Sequence, residues 1–101
     1  MNETLKLIQQ EYNAAVKKHP FFANVVFNDP YASHISQWLA VKRNILQGEI
    51  EDDLVNADTI LECELLEAEE AYYNGDKEDA IKELAQCAAV IMRMIDMIKT
   101  E

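Results

Sequence analysis

Apolar residues recur every third or fourth position through four stretches of the chain, the spacing of amphipathic helices. Leu5, Ile8, Tyr12 and Ala15 mark the first, from about Glu3 to Lys18. His19-Pro20 ends it, because the residue before a proline is driven out of the α region. Phe21 to Phe27 reads as an apolar connector, with Val25 and Val26 leaning toward extended backbone. It is expected to pack over the core or to form a short extended piece. Asn28-Asp29-Pro30 reads as a helix start, with an Asp cap and a Pro in the first turn. The second helix is expected from about Pro30 to Gln47, with Ile35, Trp38, Leu39, Lys42, Ile45 and Leu46 on its face and Gly48 as its C-cap. The third is expected to open at the acids Glu51 to Asp53, which suit a helix N-terminus. It runs to Tyr73, and Gly75 closes it. Asp76 and Asp79 form a cap pattern for the fourth, which runs to about Lys99. The pattern predicts one all-α domain over 1–101: a four-helix bundle ending in an antiparallel helix hairpin.

Composition agrees with that picture. Half of the 101 residues are hydrophobic and only two are Gly and two Pro, which favours compact helices over turn-rich β structure. A core of this size is modest, so assembly into oligomers is an expected further source of stability. Nineteen acids against nine bases give a net charge of −10. A general nucleic-acid binder needs a basic surface and is excluded on that ground. Nucleotides are not excluded, because a metal ion can bring phosphate to an acidic site. Cys63 and Cys87 lie in no CxxC pattern, and each is 12 residues from Gly75. Cys63 points away from the face that carries Glu64, so a disulfide is disfavoured and reduced, partly buried thiols of a cytoplasmic protein are expected. The opening Met-Asn-Glu-Thr-Leu-Lys lacks the features of a signal peptide, and no apolar run reaches membrane-spanning length.

The acids are not evenly scattered. Glu64 and Glu67 precede Gly75 by 11 and 8 residues, and Glu83 and Gln86 follow it by 8 and 11. A hairpin turn at Asn74-Gly75-Asp76 sets Glu67 level with Glu83 and Glu64 level with Gln86. At ~100° per residue, Glu64 shares an arc with Ile60, Leu61, Ala68 and Ala71, and Glu67 falls at its edge. Glu83 falls near the middle of a stripe formed by Ala80, Cys87, Val90, Met94 and Met97. A glutamate at a stripe edge commonly snorkels to water, so each acid alone has a bland reading. Together they predict three carboxylates and an amide converging between two helices. Such a group needs a compensating charge, and a divalent cation is the simplest. Other chemistries fail on their residues. Two glycines make no phosphate-binding loop, His19 and His34 stand alone, and no Glu-x-x-His pair is present for a di-iron site. Met94 and Met97, with Met92 beside them, read as core and interface packing.

The stretch E-L-L-E from Glu64 to Glu67, the turn at Asn74 to Asp76 and E-L-A-Q from Glu83 to Gln86 together resemble the MazG-like all-α nucleoside triphosphate pyrophosphohydrolases. Their signature is E-x-x-E, a spacer with a helical turn, then E-x-x-D. Fifteen residues separate Glu67 from Glu83, which fits that spacer. Glu83 to Ile95 also resembles short MazG-related proteins of phages and prophages, as does His19-Pro20-Phe21. The likeness is strongest over 60–98. It implies hydrolysis of a nucleoside triphosphate to monophosphate and pyrophosphate with Mg²⁺, or Mn²⁺ in its place. It implies Glu64, Glu67 and Glu83 as metal ligands and Glu67 and Gln86 at catalytic positions. Arg93, with Lys82 or Lys42, is implied as a phosphate contact, against surface ion pairs as the ordinary role of the lysines. Trp38 or Tyr72 could stack a base, and homodimers or homotetramers are implied. Gln86 departs from the family's Asp, and it offers a carbonyl oxygen but no charge. Two further readings therefore stand beside the enzyme. One is a degenerate relative that binds nucleotide or a host protein without turnover. The other is a plain helical bundle whose acids pair with Arg93, Lys82 or a neighbouring subunit.

Overall fold

The structure is a computed structural model and describes residues 2–28 and 32–101. Among them are four helices and no strand: α1 Glu3–Lys18, α2 Ala32–Glu51, α3 Ala57–Tyr73 and α4 Lys77–Lys99. The Asp29 cap and the Pro30 first turn fall outside the described residues. α1 starts where the Asn2 side chain accepts hydrogen bonds from the amides of Thr4, at 2.7 Å, and Leu5, at 3.4 Å. It stops at His19-Pro20 as expected. The connector forms no strand at Val25 and Val26, and both are exposed rather than packed over the core. Only Phe27 docks, with its ring edge-on to Tyr72 at 5.5 Å.

Two boundaries around the second loop differ from expectation. Gly48 does not cap α2, which continues to Glu51. The stop is Asp53, at φ 58°, followed by a hydrogen bond from the Leu54 amide to the Glu49 carbonyl at 2.9 Å. A short polar side chain tolerates this left-handed conformation, so glycine is not required there. The acids at 51–53 consequently end α2 rather than open α3. α3 begins after Asn56, whose own side chain makes no capping bond. Glu49 substitutes for it: its carboxylate accepts from the Asn56 amide at 2.9 Å and the Thr59 hydroxyl at 2.8 Å. The Asn56 and Thr59 donors hold the Glu49 carboxyl below its ordinary range.

The C-terminal hairpin forms as expected. Gly75 sits at φ 81°, the Gly75 amide donates to the Tyr72 carbonyl at 3.1 Å, and the Asp76 amide to Ala71 at 3.0 Å. This paired pattern is a glycine-dependent helix stop. Asp76 then caps α4 by accepting from the Asp79 amide at 3.0 Å.

α3 is the central helix, with α4 packed along one side and α2 along the other; α2 and α4 do not meet each other. α1 meets only α4. The described helices therefore form a layer of 37 × 37 × 20 Å. Its buried apolar residues are Ile35 and Leu39 from α2, Cys63, Ala68 and Ala71 from α3, and Ala80 and Cys87 from α4. Small side chains at Ala68, Ala71 and Ala80 let α3 and α4 approach closely. Both cysteines are free and buried. The single face expected for α2 is split: Ile35 and Leu39 are buried, whereas Trp38 and Ile45 are 53 % and 45 % exposed. The helix angle explains this, since Trp38 and Ile45 lie roughly 100° to 120° around from Leu39. No described helix is long and apolar enough to cross a membrane.

Candidate functional site

The hairpin turn sets the register of α3 against α4, and that register brings the acids together. Glu64 and Glu67 of α3 and Glu83 of α4 each offer an oxygen within 4.8 Å of the others, and all three are half-buried. Gln86 completes the group. With its amide nitrogen turned toward the carboxylates, it donates to Glu83 Oε2 at 2.9 Å and Glu64 Oε2 at 2.8 Å. Arg43 approaches from α2, with its Nη2 3.2 Å from Glu67 Oε1. An open cavity of about 290 Å³ lies alongside, lined by Arg43, Glu67, Glu70, Asp76, Asp79 and Glu83 among others.

Burial and the neighbouring acids Glu67 and Glu64 push the Glu83 carboxyl up to about 7. Loss of water disfavours its charged form, and it shares hydrogen bonds with two further carboxyls. As the pH falls through neutrality the cluster thus takes up a proton in place of one charge. Burial also raises both thiols, Cys63 and Cys87, with the nearby acids adding to the effect. Neither thiol is poised as a nucleophile.

The four residues expected to converge do so. Arg93 and Lys82 do not reach the cluster within one chain. Arg93 lies seven residues beyond Gln86, about 10 Å along the helix, and borders a separate groove with Ile60, Val90 and Met94. Lys82 is exposed and does not line the acidic cavity. Lys42 forms an ion pair with Glu62 on the flank of α3, which raises its pKa. Trp38 faces outward, and Tyr72 packs between Phe27 and Tyr73. The residue that the sequence reading missed is Arg43. Its signal was present, because it follows Leu39 by four positions and so lies on the same face of α2.

The donor set suits a hard divalent cation. Mg²⁺ binds oxygen at about 2.0–2.1 Å in an octahedron, so opposite ligands stand roughly 4.2 Å apart. Oxygens already within 4.8 Å need only small side-chain rotations to reach that spacing. No family model matches this chain, and no curated protein or solved structure matches it.

Proposed function

We propose that this chain is a MazG-like, Mg²⁺-dependent pyrophosphohydrolase that converts a nucleoside triphosphate to its monophosphate and pyrophosphate. The observation that carries the reading is the convergence of Glu64, Glu67 and Glu83 from two helices on one another, with Glu67 and Glu83 lining the adjoining cavity. These three side chains would hold the cation, Mg²⁺ or Mn²⁺, which supplies charge neutralisation of the triphosphate and an activated water. Glu83 would act as a ligand in its deprotonated form, and would give up its proton to solvent on binding the cation. Gln86 holds Glu64 and Glu83 in orientation through its amide. Arg43, on leaving Glu67, is the basic group at the cavity that can take a phosphate oxygen. Arg93 and Lys82 serve as phosphate contacts only across a subunit boundary. A homodimer or homotetramer would provide one and would close the helical layer into a bundle. Two buried free thiols support a reducing compartment, the cytoplasm. The short phage-type MazG relatives are its expected kin.

A panel of ribo- and deoxynucleoside triphosphates with Mg²⁺ or Mn²⁺, with the products resolved, tests this. Monophosphate and pyrophosphate formed by the wild type and lost in Glu67→Gln are the expected result. Absence of turnover by folded protein under both metals would overturn it.

One arrangement favours a second reading. The Gln86 amide and the Arg43 guanidinium partner the acids without any cation. A degenerate relative that binds nucleotide or a host protein without cleaving needs no more than this. Such a protein should tolerate Glu83→Gln with its binding intact, whereas the enzyme should lose its cation-dependent melting shift.

A further inference from the structure

One chain leaves more surface open than a folded monomer of its mass does. Its accessible surface is 7872 Å², whereas a compact monomer of this size exposes about 5,800 Å². Its radius of gyration, 15.6 Å, exceeds the roughly 13 Å usual for this length. The excess of about 2,000 Å² is on the scale that each chain contributes to an obligate dimer.

The outer side of α2 is the most ordered part of that surplus. His34, Trp38, Val41, Ile45 and Gly48 follow one another at alternating spacings of four and three residues. That spacing makes a narrow helix–helix seam. Trp38, Val41 and Ile45 are 53 %, 55 % and 45 % exposed. The seam is centred roughly 120° from the buried Ile35 and Leu39, and the polar Ser33, Gln37, Asn44 and Gln47 occupy the remaining side. α2 thus has two apolar faces, and α3 covers only one. Gly48 lies on the uncovered seam inside the helix, and a Cβ there would meet nothing within 4 Å. Nothing among the described residues calls for a glycine at that point; close approach of another helix would. Charge permits a second copy. α2 carries Lys42 and Arg43 against Glu49 and Glu51, so this helix is neutral in a chain of net charge −10.

We infer that the seam His34–Trp38–Val41–Ile45–Gly48 is the face on which two copies of this chain pair, α2 against α2, antiparallel about a two-fold axis near Val41. In that register the His34 end of one helix meets Gly48 of the other, so bulk faces a gap. The interface is isologous and closes on itself. This goes beyond the reading of the acid cluster, which does not say where copies meet, and it stands whether or not that cluster turns over substrate.

Sedimentation of the full chain, without nucleotide or metal, tests the pairing apart from any activity. The wild type is expected at twice 11.6 kDa, with blue-shifted Trp38 emission that moves red on dilution. Val41→Glu and Gly48→Leu are each expected at one chain's mass, with emission already red and helical circular dichroism unchanged. A monomeric wild type would overturn the proposal. So would a dimer that both variants leave intact, because the copies would then meet elsewhere.

Discussion

The α3–α4 hairpin and the α1 arm are both amphipathic helical segments, yet they are held in different ways. The hairpin is closed by a short turn, packs small residues at close range and loses little chain entropy in forming, because its partners are near in sequence. α1 has an equally regular apolar stripe but meets no other described helix than α4. Its joint is Thr4, buried to 1 % exposure, whose hydroxyl donates to Asp96 and accepts from Lys99 Nζ at 3.2 Å. Beyond that joint Leu5, Leu7, Tyr12 and Val16 are exposed. A periodic apolar pattern shows that a helix has a face to bury. It does not show that its own chain will bury it.

The sharpest way to break the comparison is to truncate one core side chain and one arm side chain. Leu39 is fully buried, so Leu39→Ala should cost about 2–5 kcal/mol. Leu7→Ala on the exposed arm should stay within about 0.5 kcal/mol. Urea unfolding of the two variants side by side checks this, and equal losses would mean that the arm is as firmly packed as the core. Next comes the turn. Gly75→Ala meets no steric obstacle but keeps a positive φ, and should cost about 1–2 kcal/mol from the backbone alone. A neutral result would show that the turn does not depend on its left-handed residue.

Thr4→Val keeps the shape and removes the hydroxyl, at about 0.5–1.5 kcal/mol. Its signature is local. Amide exchange should quicken through α1 while the α3 amides keep their protection; uniform quickening would contradict a single joint. The subtlest contrast lies in pH. Glu83 binds its proton more tightly folded, at about 7, than unfolded, near 4.5. The folded state then holds more protons between those values, so this group's contribution to stability is full below pH 4.5 and is lost as pH rises toward 7. Glu83→Gln should flatten that part of the profile and leave the protein more stable at pH 8, read as urea midpoints across a pH series. An unchanged slope would detach Glu83 from the acid cluster.

The sequence by itself determined the helices, their approximate ends at Lys18, Tyr73 and Lys99, and the meeting of Glu64, Glu67, Glu83 and Gln86. These follow from local rules: helical periodicity, a proline stop, and a glycine turn with acids at equal distances on either side. Tertiary structure alone decided the rest. Gly48 passes as a helix stop by its residue type, but the chain takes the left-handed step at Asp53, where the Glu49 carboxylate can reach across to cap α3. Arg43 joins the cluster because α2 docks on α3 through Ile35 and Leu39, a pairing that helix periodicity does not specify. Arg93 stays away because a helix is rigid, and seven residues carry it past the site. Trp38 and Ile45 share apolar character with Leu39 but not its direction. Periodicity shows how many faces a helix has to bury, and only packing across long sequence separations decides which neighbour covers each one.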